Sequence, residues 1–184
     1  QIIDEKIKEL ENIKNKIEYM SNTLSISLEK GINKVFIKQN KERLFIKYNY
    51  TDRYTDEFEI NLRKVLLEVE RDYENVNAEI AFTTSYKDMN DNEEVIYKNV
   101  MINLGEEIFF EDEKLVKVPA GNYLTMYFDD AYRNSSKYYH TIMNYIQKNN
   151  IKTIGDFHEI YIMTRVGMDG KIKSLGQIEI LIDK

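Results

Sequence analysis

At Lys34 the hydrophobic period of this chain changes from helical to two, and that change limits the folds open to it. Before it, Ile3, Ile7, Leu10, Ile13, Ile17, Met20, Leu24 and Leu28 recur at three- and four-residue steps with charged residues between them. This stripe predicts one long amphipathic helix over residues 1–30, with Gly31 as its C-terminal stop. A helix of about 28 residues is roughly 42 Å long, more than the face of a small domain usually covers. Part of the stripe is therefore expected to pack on another chain or a neighbouring domain; the alternative is a helix lying wholly across its own domain.

After Lys34 the pattern alternates strands with two shorter helices. Val35-Phe36-Ile37 and Leu44-Phe45-Ile46 flank Gln39-Asn40-Lys41-Glu42, which reads as a hairpin. A helix follows, with Asp56 as N-cap, Glu59 three residues on, and Phe58, Leu62, Val65, Leu66, Val69 and Tyr73 on one face. Strands are expected over 78–86 and 95–104, joined by the polar loop 87–92. That loop has a faint calcium-loop look, but Glu93 and Asn99 stand where the loop needs Gly and Glu, so a hairpin turn is expected.

The second half repeats the order. Strands 115–118 and 123–128 surround the turn Pro119-Ala120-Gly121-Asn122. A helix capped by Ser135 or Ser136 carries Tyr139, Ile142, Met143 and Ile146 and ends at Asn149 or Asn150. Strands 157–166 and 174–182 close the half around Gly167-Met168-Asp169-Gly170-Lys171. The expected fold class is α+β: a tandem repeat of hairpin-helix-hairpin units, mostly antiparallel sheet with two helices, spanning 33–184 and preceded by a coiled-coil helix.

Composition narrows the function. The net charge of −6 over 184 residues, with Lys and Arg scattered, gives no electrostatic footprint for nucleic acid on this chain itself. There is no cysteine, no apolar run long enough to span a membrane and no signal-peptide pattern, so a cytoplasmic protein without membrane contact is expected. No nucleophile elbow, phosphate loop, dinucleotide fingerprint or Cys/His metal spacing occurs, so no cofactor, metal site or catalytic group is assigned. His140 and His158 are read as structural or surface residues, and Asp129-Asp130 as either a cation site or a solvated strand end. Fourteen Tyr and eight Phe supply rings for a mixed apolar and polar pocket.

Phe157-His158-Glu159-Ile160-Tyr161 carries the candidate site. Strand alternation puts Phe157, Glu159, Tyr161 and Met163 on one face, so a carboxylate sits between two aromatic rings, and no Lys or Arg shares that face before Arg165. An ionised carboxylate unpaired in apolar surroundings costs roughly several kcal/mol. Such a face either receives a cationic or polar ligand, with the rings stacking on it, or is an edge strand with a solvated Glu.

The residues from Lys117-Val118-Pro119-Ala120-Gly121-Asn122-Tyr123 through Asn144-Tyr145-Ile146 and Asp156-Phe157-His158-Glu159-Ile160-Tyr161-Ile162 to Gln177-Ile178-Glu179-Ile180-Leu181-Ile182 complete a familiar pattern. With its Pro-x-Gly-x-Tyr turn and aromatic-flanked Glu, the chain resembles the C-terminal effector-binding, GyrI-like domain of multidrug-responsive transcription regulators of the MerR family. The resemblance implies that residues 1–30 form an antiparallel dimerisation helix giving a homodimer. It also implies that promoter DNA is reached only through an N-terminal DNA-binding domain absent from this chain, which opens on Gln1. The implied effector is a small molecule, a lipophilic or aromatic cation, bound between the two repeats. By the same resemblance Glu159 attracts the cation, Tyr97 is a pocket tyrosine, and Tyr161 and Met163 are wall positions; strand alternation adds Phe82 and Tyr86. Relatives carry aromatics where this chain has Ser135 and Ser174, which implies a wider pocket or different ligands. Some GyrI-like relatives are hydrolases of small lipophilic compounds, so a stand-alone hydrolase using Glu159 is the alternative.

Overall fold

The computed structural model describes residues 2–53, 58–72, 79–91, 94–103, 113–131, 134–166, 170 and 172–183. The expected cap at Asp56, the helical Tyr73, the loop ends Asn92 and Glu93, and most of the 167–171 turn lie outside them. Among the described residues the elements are α1 (Ile2–Lys30), β1 (Val35–Asn40), β2 (Arg43–Arg53), α2 (Phe58–Asp72), β3 (Glu79–Thr84), α3 (Tyr86–Asp91), β4 (Ile96–Asn103), β5 (Leu115–Val118), β6 (Gly121–Asp130), α4 (Ser136–Lys148), β7 (Thr153–Val166) and β8 (Ile172–Ile182). The fold is α+β with one antiparallel sheet of eight strands in the order β1-β6-β8-β7-β3-β4-β2-β5.

Neither expected leading hairpin forms. β1 pairs with β6, and β2 with β4 and β5, so β1 and β2 are not neighbours, and neither are β5 and β6. The physical reason is backbone conformation at the links. The tight two-residue hairpin turns favour positive φ at their central residues, which the side chains of Lys41, Glu42 and Ala120 disfavour and the ring of Pro119 forbids, and no residue of 39–42 or 119–122 takes it. The chain runs on instead. Asn40↔Gly121 and Arg43↔Val118 lie in one continuing register, so β1–β2 and β5–β6 form a single long antiparallel ribbon. Each repeat thereby lends its first strand to the other: β1 borders β6 of the second repeat, and β5 borders β2 of the first. Tyr123 locks the β5–β6 junction by donating its hydroxyl to the Pro119 carbonyl at 2.7 Å, and a Cβ at Gly121 would stand 2.7 Å from the Leu181 side chain.

The two repeats meet at the centre of the sheet, where β3 pairs with β7 and Phe82 lies opposite Glu159. One face of the sheet carries α2 and α4. Val69, Tyr139, Ile142, Met143 and Ile146 pack there against Phe82, Leu124, Phe128, Phe157, Ile178 and Ile180. The other face is thinner, with Phe45, Ala81, Met101, Tyr123 and Ile160 in its cluster, and α1 meets the sheet at β7.

α1 stops where expected, with Gly31 at φ 87° and its amide bonded to the Ser27 carbonyl at 3.0 Å. It turns Thr23 and Ser27 inward, while Ile3, Ile7, Leu10, Ile13, Ile17, Leu24 and Leu28 are all at least 41% exposed. The expected polar loop at 87–92 is instead the short helix α3. Ser85 starts it by accepting the Asp88 amide at 3.0 Å, and Met89 is fully buried. The Ser85-x-x-Asp88 spacing is a helix-start signal that a turn reading passes over. No described helix is long and apolar enough to cross a membrane.

Candidate functional site

Glu159 lies at the centre of the sheet, on the face covered by α2 and α4, and is 0% exposed. Three phenolic hydroxyls close on its carboxylate. Tyr97 of β4 donates to Oε2 at 2.7 Å, Tyr139 of α4 donates to the same oxygen at 2.8 Å, and Tyr161, two residues along β7, donates to Oε1. Ser135 Oγ stands 3.4 Å from the Tyr97 hydroxyl. Ser135 occupies the N-cap position of α4 but makes no side-chain cap bond; its hydroxyl turns to the cage instead. Among the described residues no ion pair reaches Glu159, so the tyrosine hydroxyls take the place a cation would hold.

Burial pushes the Glu159 carboxyl above its ordinary range, and the hydrogen bonds from Tyr161, Tyr97 and Tyr139 pull against that shift. Burial, then the neighbouring carboxylate, raises all three phenols well above theirs, so they remain donors. The rings form an apolar wall. Phe82 lies 4.9 Å from Tyr97 and 5.7 Å edge-on to Tyr161, and Phe157 meets Tyr139 edge-on at 5.3 Å. This arrangement offsets part of the cost of burying the carboxylate without a counter-ion, and can exchange a hydroxyl donor for a flat cation.

Of the residues expected from sequence, Glu159, Tyr97, Tyr161 and Phe82 are brought together. Tyr86 is not at the carboxylate: it begins α3 and stacks on Phe157 at 5.9 Å, behind the cage. Met163 is on the opposite face. The β7–β8 register shifts between Tyr161↔Gly176 and Met163↔Leu175, and this bulge ends the alternation on which the shared face was read. Met163 and Ile162 instead line a half-open crevice of about 290 Å³ with Leu175 and with Ile17, Met20, Ser21 and Leu24 of α1. The helical spacing makes Tyr139 an apolar helix position. Its spacing gave the inward face correctly, and only the position of β7 shows what its hydroxyl meets.

A second buried polar cluster lies on the α1 side of the sheet. Glu179 is 0% exposed; Arg43 binds Oε1, while Asn40 Nδ2 at 2.9 Å and Gln177 Nε2 at 2.6 Å donate to Oε2. His158 Nδ1 lies 3.6 Å from Oε1. Burial would raise this carboxyl, but His158 and Arg43 overcome it and hold it at about 2. Glu79 is raised by burial and is bonded to Asn103 at 3.2 Å and to Tyr19 of α1, a residue 43% exposed. His158 therefore serves this cluster, while His140 is exposed. Asp129 pairs with Arg165, and Asp130 accepts from Lys137, Asn134 and Tyr138. Among the described residues no group of acidic, His or Cys side chains is arranged to hold a metal.

No family model matches the chain, and no curated protein matches its sequence. Solved structures do match. The EcmrR C-terminal domain is similar over 82% of this chain and 98% of its own, with TM-score 0.60 and 12% identity. EcmrR in its DNA complex is similar over 96% of this chain and 68% of its own, with TM-score 0.63 and 13% identity. A hydrolase from Listeria innocua is similar over 88% of this chain and 98% of its own, with TM-score 0.50 and 10% identity. The resemblance read from the sequence thus holds at the level of fold, and the fold of this chain is that of the EcmrR C-terminal domain.

Proposed function

We propose that this chain is the effector-sensing and dimerisation part of a transcription regulator, and that its effector is a small lipophilic or aromatic cation held against Glu159. The observation that carries the reading is a fully buried carboxylate ringed by Tyr97, Tyr139 and Tyr161, with no basic side chain paired to it among the described residues. Such a group attracts a desolvated cation, and the aromatic wall including Phe82 supplies its flat contacts. The fold shared with the EcmrR C-terminal domain supports a regulatory role, and the likeness to EcmrR in its DNA complex supports contact with promoter DNA through a domain outside this chain. The exposed stripe of α1 supports pairing with a second copy.

Calorimetry with methyltriphenylphosphonium and the neutral triphenylphosphine oxide tests the site. Glu159→Gln keeps the shape and removes the charge. The phosphonium should lose about 1.5–3 kcal/mol, the range for hydrogen bonds to charged groups, while the neutral compound is little affected. Equal loss for both makes Glu159 a wall residue, and no loss removes the charge from the reading.

The likeness to the Listeria innocua hydrolase favours a second reading. There Glu159 moves a proton and a tyrosine donates to the leaving oxygen. Turnover of a small lipophilic ester or epoxide that disappears in Glu159→Gln would establish it, because a binding pocket needs no proton transfer.

A further inference from the structure

We infer that the β-bulge at Tyr161–Met163 couples the Glu159 cage to α1, so that release of the Tyr161 hydroxyl is felt directly by the helix. This rests on the sensing reading above and adds the route by which occupancy of the site leaves it.

Three placements carry the inference. Tyr161 ends one side of the bulge with its hydroxyl on Glu159 and its ring edge-on to Phe82 at 5.7 Å and Phe128 at 6.4 Å. Met163 ends the other side, one residue out of step with β8 and turned to the opposite face. Ile162 and Met163 then meet Ile17, Met20, Ser21 and Leu24 across the crevice. In a regular strand Ile162 alone would face α1 and Met163 would return to the cage face. Here the bulge turns both residues that follow Tyr161 toward the α1 side.

The bulge also interrupts the β7–β8 ladder. Ile162 has no register partner on β8, while Tyr161 and Met163 keep theirs, so one backbone unit between the cage residue and the α1 side lacks its ladder restraint. The crevice of about 290 Å³ gives it space on the α1 side. On the cage side Gly176 faces Tyr161, and its missing Cβ lets the Phe128 ring in, since a Cβ there would stand 2.2 Å from that ring. A cation on Glu159 competes with the hydroxyl donors, and Tyr161 is the donor whose departure frees the bulge. Tyr97 and Tyr139 sit on β4 and α4, away from α1. Two arrangements of one short segment, biased by occupancy of the cage, are what a coupling element requires.

Backbone hydrogen exchange over residues 17–28 of the intact chain tests this with and without ligand. In the ligand-free chain, Tyr161→Phe should accelerate exchange at 17–24 by about fivefold or more, because the bulge is released from the carboxylate. Tyr139→Phe removes an equivalent hydroxyl from the same carboxylate and should leave those amides within about twofold of the wild type. Ile162→Ala, which keeps the cage and trims the crevice wall that faces α1, should also accelerate them. Saturating methyltriphenylphosphonium should reproduce the Tyr161→Phe pattern in the wild type and add little in Tyr161→Phe. Equal effects of Tyr161→Phe and Tyr139→Phe, or no effect of Tyr161→Phe, overturn the inference. If the phosphonium fails to bind while the ligand-free pattern appears as described, the proposed effector is wrong and the coupling stands.

Discussion

The hydroxyl of Tyr139 lies 2.8 Å from Oε2 of Glu159, which ties α4 to the central strand β7 by a hydrogen bond to a carboxylate that no water reaches. The helix is therefore both a lid for the core and a wall of the site. Its remaining inward residues, Ile142, Met143 and Ile146, supply the apolar packing that holds the hydroxyl in place.

Removing that hydroxyl should weaken the fold without abolishing it. Tyr139→Phe is expected to cost about 1.5–3 kcal/mol, the range for a hydrogen bond to a charged group, because Glu159 keeps Tyr97 and Tyr161. Urea unfolding at neutral pH measures it. A loss below about 0.5 kcal/mol would mean that Glu159 is already protonated and needs fewer donors.

The two buried carboxylates should push stability in opposite directions as pH changes. Glu179 is held at about 2 against an ordinary value of 4.5, so its contribution is fully present above 4.5 and is lost as pH falls from 4.5 towards 2. Glu159 is raised, so the protonated form is favoured by folding, and stability falls as pH rises from 4.5 through its raised value. Urea midpoints across a pH series should show Glu179→Gln flattening the acid limb and Glu159→Gln flattening the opposite one. In addition, Arg43→Met, which strands Glu179 in the interior, is expected to cost about 3–5 kcal/mol.

Gly176→Ala should be destabilising although the glycine has no positive φ. The added methyl would stand 2.2 Å from the Phe128 ring, which itself stacks on Tyr138 at 4.8 Å and has little room to withdraw. The expected cost is about 1–3 kcal/mol, the range for overpacking a core, read as a lowered denaturation midpoint. A neutral result would show that the Phe128 ring shifts freely.

The α1 stripe predicts self-association. Sedimentation at micromolar concentration should give a species heavier than the monomer, and Leu10→Glu with Ile17→Glu should return it to the monomer, since both side chains are more than half exposed. A wild-type chain that stays monomeric over a concentration series would leave the stripe without this role.

Much of this protein is legible in its sequence. The stripe from Ile3 to Leu28 and the positive-φ residue Gly31 set α1, because helical spacing and a left-handed stop are local properties of the chain. Alternation gave the strands, and the aromatic neighbours of Glu159 marked the carboxylate. Tertiary structure decided what local pattern does not carry. Gln39-Asn40-Lys41-Glu42 and Pro119-Ala120-Gly121-Asn122 look like turns by composition, yet none of these residues takes positive φ, the chain runs straight, and the partner strands lie about a whole repeat away in sequence. Met163 left the site because one unpaired residue, Ile162, reversed the faces of β7, and a bulge leaves no mark in a period-two pattern. Tyr139 entered it because a phenol is read as apolar by its spacing, while the partner of its hydroxyl is fixed only when α4 is laid across β7.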